Sequence, residues 1–331
     1  MISDNKELYT PVLLLAFNRP EQTRQVFETI RSVQPEKLYV AVDAPREGRL
    51  DDIENNNRVK AIVKDVDWPC ETHYLFQEKN LGCSRSGFTA WNWIFETEDR
   101  MIFIEDDGVG TKSAFYFIQE MLEKYKDDER VAYVGAVNHK LSYGDASYFF
   151  SRYPDSTYFM GTWKRTHTLY EYEIGSYPIT SKSDSYKKSF WGFKEKLILN
   201  QRFKAYLASI RNGKRMNTYD VQMLYMCYKY NMYNIYPNIN MISNIGTESG
   251  ANSFNSANSA YVKEFGNRER FEMDEIKYCD DIKIDIDFEK RHFNKRMLQN
   301  HPWMFIWFKT FFLQHFGSFY AKHIKPLRWD R

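Results

Sequence analysis

Short apolar runs alternate with helical patterns over the first 140 residues. The candidate strands are residues 11–17 (PVLLLAF), 38–42 (LYVAV), 72–76 (THYLF) and 101–104 (MIFI). The candidate helices begin at Pro20 and cover residues 51–66 and 84–95. Strands that alternate with helices at this spacing predict an α/β fold, in which a mostly parallel sheet is flanked by helices.

The pattern changes after residue 140. Residues 142–158 predict loops and short strands, residues 186–211 and 219–229 predict helices, and the small residues of 245–260 predict a loop. We therefore divide the chain into three parts. Residues 1–140 and 141–260 are two halves of one domain, and residues 261–331 are a helical C-terminal extension.

Composition limits the class of protein. Of the 331 residues, 43% are hydrophobic and 27% are charged, as expected of a globular chain with a substantial core. The net charge of +2 argues against a strongly cationic nucleic-acid-binding protein. The cysteines have no CxxC spacing and the first residues are polar, so we expect free thiols, no zinc site and a reducing, cytoplasmic location.

Three carboxylates, Glu105, Asp106 and Asp107, come directly after the fourth apolar run. Ligands bind at the carboxyl ends of the strands in an open α/β sheet, so these side chains are candidates for a site. Adjacent carboxylates repel one another, and Mg²⁺ or Mn²⁺ would offset their charge. A solvated acidic turn is the alternative interpretation.

Polar residues also follow the other three apolar runs. Asn18 and Arg19 follow the first, where the guanidinium would reach the phosphates or the base of a nucleotide. Asp43 follows the second, where its carboxylate would accept hydrogen bonds from a base or ribose. Ser84 and Arg85 follow the third, in a loop whose free N–H groups suit a phosphate. A surface ion pair would explain either arginine equally well, and a turn would explain the aspartate.

The runs AFNRPEQTRQVFETI, VAVDAPR, KNLGCSRSGF and FIEDD resemble the donor half of GT-A (Rossmann-like) nucleotide-diphospho-sugar transferases. They are especially similar to the inverting N-acetylglucosaminyltransferase I group and to bacterial polysaccharide glycosyltransferases. The resemblance implies that Asp107 ligates Mn²⁺ or Mg²⁺ and that Glu105 and Asp106 meet the ribose or the donor sugar. It also implies that Asp43 and Arg19 bind the nucleotide, and it makes residues 1–140 the donor half and residues 141–260 the acceptor and catalytic half of the same domain.

Similarity to the same family continues downstream and covers roughly residues 11–255. MGTWKRTHTLYEYE is similar to the bacterial WGWATWKR block, although Gly161 follows Met160 where the family has another Trp-Gly. NTYDVQMLY is similar to the WDxQ block, with Tyr219 in place of Trp, and PNINMISNIGTESGANS to the PxxNLxSNIG block. By this similarity Asp220 is the base that takes the proton of the acceptor hydroxyl. Its alternative role is the N-cap of the following helix.

The C-terminal extension is basic and aromatic. Residues 290–331 contain nine Lys or Arg and one acidic residue, and Trp and Phe recur through residues 303–320. Residues 303–328 therefore predict contact with an anionic membrane surface, which would suit a lipid-linked acceptor. A terminal helix packed on the core or on another subunit is the alternative. Lys309 and Gln314 interrupt the apolar character, so we expect no transmembrane span.

We therefore expect a cation-dependent, inverting glycosyltransferase with a nucleotide-sugar donor such as a UDP-sugar. Its acceptor would be a glycan or lipid-linked glycan in bacterial surface polysaccharide synthesis, at the inner face of the cell membrane. A sugar-nucleotide nucleotidyltransferase is one alternative, although AFNRPEQT lacks the Gly-rich basic loop that such enzymes carry after the first strand. A non-catalytic sugar-binding protein is the other, and the presence of both the acidic triplet and Asp220 counts against it.

Overall fold

The structure, a computed structural model, describes residues 1–2, 6–138, 145–155, 157–214, 218–246, 268–298, 302–308 and 311–312. In this part of the chain eight strands form one sheet, in the order β3-β2-β1-β4-β8-β6-β9-β7. The strands are β1 Val12–Ala16, β2 Lys37–Val42, β3 Glu71–Phe76, β4 Arg100–Glu105, β6 Val131–Gly135, β7 Tyr148–Ser151, β8 Phe159–Trp163 and β9 Tyr233–Pro237. Only β7 and β8 run antiparallel to their neighbours, so the predicted α/β fold with a mostly parallel sheet is confirmed. A separate pair joins β5 (Gly108–Gly110) to β10 (Ile242–Asn244).

Helices cover both faces of the sheet. They are α1 Pro20–Arg31, α2 Leu50–Val63, α3 Cys83–Ile94, α4 Lys112–Lys124, α5 Lys164–His167, α6 Tyr177–Thr180, α7 Asp184–Lys188, α8 Phe193–Arg211, α9 Asp220–Tyr230 and α10 Ile286–His292, which a π-helical turn, Phe293–Met297, follows. In β1, Val12 and Leu14 face a core shared with α1, α2 and α4, whereas Leu13 and Leu15 face a core shared with α3 and α9. Because side chains alternate along a strand, an apolar residue at every position requires a helix layer on each face.

The predicted elements before residue 110 agree closely with the structure, and α1 begins at Pro20 as expected of a proline in a first helical turn. We predicted one helix over residues 186–211, but the structure has two, α7 and α8, because residues 189–192 are not helical. Glu195, in the first turn of α8, accepts a hydrogen bond from the N–H of Trp191 at 2.8 Å. This hydrogen bond caps the first turn of α8, so α8 begins as a separate helix.

The MGTW run forms β8, which inserts antiparallel between β4 and β6. Gly161 is required there, because a Cβ atom would lie 2.3 Å from Cγ2 of Ile118 on α4. The indole N–H of Trp163 donates to the Leu122 carbonyl on the same helix at 3.1 Å. Where the chain departs from the bacterial motif, it therefore has a strand that packs tightly under α4.

The described part of the C-terminal extension is helical only from Ile286 onward, and residues 268–285 form no helix. They run along β7 instead, where the N–H of Ser147 donates to the Lys277 carbonyl at 2.8 Å. Glu289 attaches α10 to the sheet, since its carboxylate accepts from the N–H of Arg152 at 2.6 Å. Backbone contacts with the sheet edge replace helical hydrogen bonds in residues 268–285.

Residues 302–308 pack on the lobe formed by α8 and α9. Trp303, Ile306 and Trp307 contact the apolar core of this lobe, whereas Met304 and Phe308 are 55% and 58% exposed. Of the predicted membrane segment, residues 309–310 and 313–328 lie outside the described residues. In the described part, no helix has both the length and the apolar character that crossing a membrane requires.

Candidate active site

The three carboxylates of the acidic triplet lie at the carboxyl end of the central strand β4. Glu105 ends the strand and pairs with Leu15 of β1. Its N–H donates to the Tyr158 carbonyl at 2.9 Å, and the N–H of Asp106 donates to the Leu15 carbonyl at 2.9 Å. The backbone of the triplet is thus held between β1 and the start of β8.

Arg19 pairs with two of these carboxylates. Its Nη1 donates to Oδ2 of Asp107 at 2.7 Å, and its Nη2 donates to Oδ1 of Asp106. Burial lowers the pKa of the guanidinium, but the attraction of the two aspartates outweighs this effect and holds the pKa above its ordinary value. Arg19 therefore balances the charge of these two aspartates, and its contact with a nucleotide stays a prediction.

The segment that follows β10 closes over Asp107. Asn244 lies opposite Gly108 in the β10–β5 pair, and its Nδ2 donates to Oδ1 of Asp107 at 3.0 Å. Gly246 packs so closely that a Cβ atom would lie 2.2 Å from Oδ2 of Asp107. The sequence indicated Asn244 and Gly246 only as part of a segment that closes over the donor or forms a plain loop. It did not indicate their contact with Asp107, because the two parts of the chain are 137 positions apart.

Asp43 holds the loop that precedes α3. Its Oδ1 accepts hydrogen bonds from the N–H groups of Ala44 and Leu81 at 3.0 and 2.8 Å. Its Oδ2 accepts from the N–H of Gly82 at 2.8 Å and from the side chain of Asn80 at 3.2 Å. A carboxylate oxygen has two lone pairs, so these bonds use the acceptor capacity of Asp43. Contact between this carboxylate and a base or ribose stays a prediction, and it requires the loop to shift.

Asn18, Ser84 and Arg85 each contact another part of the protein. The Asn18 amide donates to a carboxylate on α2 at 2.6 Å. Ser84 is buried, and its hydroxyl donates to the Thr218 carbonyl at 2.9 Å. Arg85 is exposed and lies 4.7 Å from the ring centroid of Tyr172. Their contacts with a nucleotide stay predictions.

Asp220 is the first residue of α9, and its neighbours fix the start of this helix. Its N–H donates to Oγ1 of Thr218 at 3.2 Å, and Gln222 reaches back to the Thr218 carbonyl at 3.4 Å. Tyr219 holds the N-cap position, so the N-cap alternative for Asp220 is wrong. Within the described ranges no group donates a hydrogen bond to the Asp220 carboxylate. The role of Asp220 as a base stays a prediction.

Glu105 and Cys83 connect the acidic triplet to Asp220. Burial raises the pKa of the half-buried Glu105 well above its ordinary value, and the negative charges of Asp107 and Asp220 raise it further. Burial also raises the pKa of the Cys83 thiol, followed by the charges of Glu105, Asp220 and Asp107. Cys83 is the first residue of α3, so the start of this helix lies within the electrostatic reach of both the acidic triplet and Asp220.

The corner at Asp107 suits a cation that is shared with a ligand. Among the described side chains no group of three or more His, Cys, Asp or Glu comes together as a metal site. Each Asp107 oxygen accepts one hydrogen bond, from Arg19 or from Asn244, which leaves one lone pair on each oxygen. Mg²⁺ beside a nucleotide is usually held by one or two carboxylates together with phosphate oxygens and water. Ligation of a cation by Asp107 stays a prediction, and it would require phosphate oxygens and water as the other ligands.

Replacing Gly246 by alanine is expected to displace Asp107, because of the 2.2 Å approach of the new Cβ atom. Gly192→Ala is the matched control, since nothing lies within 4 Å of its Cβ position. We expect G246A to weaken the Mn²⁺-dependent binding of UDP by about tenfold or more and G192A to leave it unchanged, as measured by calorimetric titration. Equal affinities in the two variants would contradict the assigned geometry.

Replacing Arg19 by glutamine leaves Asp106 and Asp107 without their cationic partner. We expect R19Q to lose about 3 kcal/mol of unfolding free energy in a chelator, because a buried carboxylate without its partner is costly. Mn²⁺ is expected to raise the thermal midpoint of R19Q more than that of the wild type. Arg24→Gln, an exposed site on the same helix, is the control. A Mn²⁺ effect of the same size in all three proteins would refute the charge-balancing role.

Comparison with known proteins identifies fold neighbours only. No protein-family model and no curated protein matches the chain. Similar solved structures include mannosyltransferase PcManGT from Pyrobaculum calidifontis in complex with GDP-Man and Mn²⁺ (10% identity, 68% of this chain and 70% of that chain, TM-score 0.37). UDP-glucose pyrophosphorylase complexed with UDP-glucose is another (9% identity, 71% and 93%, TM-score 0.35), and inositol-1-phosphate CTP transferase from T. maritima a third (12% identity, 50% and 74%, TM-score 0.30). The first two were solved with a sugar nucleotide. At TM-scores this low, none of these similarities decides the activity of this chain.

Proposed function

We propose that the chain is an inverting glycosyltransferase that moves a sugar from a nucleotide-diphosphate donor, such as a UDP-sugar, onto a glycan or lipid-linked glycan acceptor. We place this reaction in bacterial surface polysaccharide synthesis. One observation carries the proposal. The start of α9, which carries Asp220, is joined to the start of α3 by the hydrogen bond from the Ser84 hydroxyl to the Thr218 carbonyl. At this distance the charges of Asp220 and of Asp107 in the acidic triplet both raise the pKa of Glu105 and of the Cys83 thiol.

Asp107 is the proposed ligand of Mn²⁺ or Mg²⁺ on the donor side. Such a cation neutralises the diphosphate as it leaves the sugar. Arg19 donates a hydrogen bond to one oxygen of the Asp107 carboxylate and Asn244 donates to the other. The side chain is therefore positioned before the donor binds. The family resemblance implies that Glu105 and Asp106 contact the ribose or the donor sugar. For Asp106 this requires a rearrangement, because the residue is buried and its two oxygens accept hydrogen bonds from Arg19 and from the N–H of Phe17.

Asp220 is the proposed general base. Its carboxylate takes the proton of the acceptor hydroxyl, while the oxygen of that hydroxyl bonds to the anomeric carbon and the nucleotide diphosphate leaves. The Ser84–Thr218 hydrogen bond joins the start of α9 to the start of α3, which keeps the base next to the donor edge of the sheet. Attack from the side opposite the leaving group inverts the anomeric centre.

The nucleotidyltransferase alternative finds no specific support. Such an enzyme needs backbone N–H groups and basic side chains after the first strand to hold a triphosphate. In this chain α1 starts with Pro20, which has no N–H, and the preceding Arg19 is engaged by Asp106 and Asp107. Glycosyl transfer is therefore the better interpretation of this edge.

Two substitutions separate binding from chemistry. Asp107→Ala is expected to abolish cation-dependent donor binding, because it removes the metal ligand. Asp220→Asn is expected to keep donor binding and to lose transfer by about 100-fold or more, as expected for loss of a general base. Binding is measured by titration with UDP and Mn²⁺, and transfer by release of UDP from UDP-sugars. Asp281→Asn, at an exposed carboxylate, is the control. Normal transfer by both site variants would show that the assignment is wrong.

We also propose that the α8 lobe contacts an anionic membrane surface. Met304 and Phe308 are exposed one helical turn apart, and Lys194, Lys204 and Arg211 are exposed on α8, against which this segment packs. Apolar side chains bordered by cations suit the interface of an anionic bilayer. This orientation would bring a lipid-linked acceptor to the enzyme.

Vesicle sedimentation tests this contact. The variant with both Met304→Ser and Phe308→Ser is expected to bind phosphatidylglycerol vesicles roughly tenfold more weakly than the wild type, because two apolar side chains no longer enter the interface. Leu50→Ser, which changes an 81% exposed leucine on α2, is expected to bind like the wild type. Unchanged sedimentation of the double variant would exclude this surface.

A further inference from the structure

An open groove runs between α6 and the second half of α8. Tyr177 and Leu207, both buried, form its floor, whereas Pro178 and Ala208 line it from exposed positions. The groove has about 770 Å³ of empty volume and opens to solvent. Ile179, the neighbour of a lining residue, is 80% exposed. The groove therefore offers accessible apolar surface that the described part of the chain does not cover.

Contacts on both sides of α8 fix the position of the groove. On one side, the hydroxyl of Tyr177 donates to Oδ1 of Asn200 at 2.7 Å, which holds α6 against α8. On the other side, the side chain of Gln201 donates to the Trp307 carbonyl at 2.9 Å, which holds the proposed membrane segment against the same helix. Lys204, which lines the groove, is one helical turn beyond both contacts. The groove thus lies beside the segment that we propose contacts a membrane.

The groove lies at the end of the lobe that carries Asp220. The side chain of Gln222 donates to the Tyr206 hydroxyl, and the rings of Phe203 and Tyr225 have their centroids 5.4 Å apart. These two contacts show that α8 and α9 run antiparallel, so the last turns of α8 lie beside the first turn of α9. A molecule held in the groove would extend past the end of α8 to reach Asp220.

Both charged residues of the groove are cations. Lys204 and Arg211 are exposed and lie two helical turns apart on α8. Among the residues that the structure describes, neither cation forms an ion pair, and none of the lining residues of the groove is acidic. Together they carry a charge of +2, which matches the roughly −1.5 to −2 of a phosphate monoester at pH 7. A phospholipid diester has a single negative charge and matches this pair less well.

We propose that the groove binds the lipid phosphate of the acceptor, with the apolar chain along Tyr177 and Leu207 and the phosphate at Lys204 and Arg211. The inference rests on the proposed function, because it takes the acceptor to be lipid-linked. It goes beyond contact with a bilayer surface, since it assigns one lipid molecule to one site. The groove then anchors the acceptor at the end of the lobe where the proposed base lies.

Three probes separate the contribution of the chain from that of the charge. Octyl phosphate has both, octyl β-D-glucoside has the chain without the charge, and inorganic phosphate has the charge without the chain. Binding to the full chain is measured by ligand-observed NMR, below the critical micelle concentration of each amphiphile. We expect octyl phosphate to bind about tenfold or more tightly than either of the other two, because burial of the chain and attraction of the phosphate both contribute.

Two variants test the residues of the groove. The variant with both Lys204→Gln and Arg211→Gln is expected to bind octyl phosphate roughly tenfold more weakly. Ala208→Phe is expected to weaken octyl phosphate binding by about as much, because the ring fills the groove, and to leave the binding of inorganic phosphate unchanged. The control carries both Lys187→Gln and Lys188→Gln, which remove two charges from exposed positions on α7, and is expected to bind like the wild type.

The outcomes are distinct. Because every substituted residue is exposed, the variants are expected to keep the thermal midpoint of the wild type. No binding of octyl phosphate, or equal binding by the wild type and the groove variants, overturns the proposal. Displacement of octyl phosphate by an equal concentration of dihexanoylphosphatidylglycerol would assign the groove to bilayer lipids and overturn the assignment to the acceptor. Failure of the proposed function would be recognised separately, as normal UDP and Mn²⁺ binding by Asp107→Ala.

Discussion

A single guanidinium balances two buried aspartates at the carboxyl edge of the sheet, and the geometry of the candidate site depends on this ion pair. Arg19 comes from the end of β1, whereas Asp106 and Asp107 come from the end of the neighbouring β4. The parallel pairing of these strands brings the charges together. Negative charge still exceeds positive charge, since one guanidinium faces two aspartates and the nearby Asp220 adds to the excess. A cation brought with a diphosphate would complete the balance.

The start of α9, which carries Asp220, is held to this edge by packing against α3 on one face of the sheet. Tyr219 lies against Trp91 of α3, with ring centroids 4.9 Å apart, and close to Gly87, where a Cβ atom would lie 3.2 Å from its ring. Ser84 adds a hydrogen bond to the carbonyl of Thr218. The position of Asp220 relative to the acidic triplet is thus set by the α3–α9 contact, so the geometry of the candidate site depends on core packing.

The strands and helices of residues 1–140 were predictable from the sequence, because each is determined by residues that are close together in the chain. A strand such as β1, apolar at every position, needs two helix layers, and Pro20 marks a helix start. Residues that follow parallel strands lie at the same edge of the sheet. This rule predicted the position of the acidic triplet. The partners of these residues were not predictable. They depend on tertiary contacts, which the local sequence does not show. Examples are the hydrogen bonds from Arg19 to Asp107, from the N–H of Leu81 to Asp43, and from Asn244 to Asp107, which lies 137 positions away in the chain. The break before α8 likewise depends on a return contact from Glu195.

The central claim is that Asp107 holds a cation that the donor diphosphate shares. Crystals grown with UDP and Mn²⁺, measured at the manganese absorption edge, locate the metal directly. The account predicts an anomalous peak about 2.1 Å from an Asp107 oxygen, the distance typical of a small divalent cation and a carboxylate, with phosphate oxygens on its other side. Bound UDP with the manganese peak elsewhere, or with no peak beside Asp107, would contradict it.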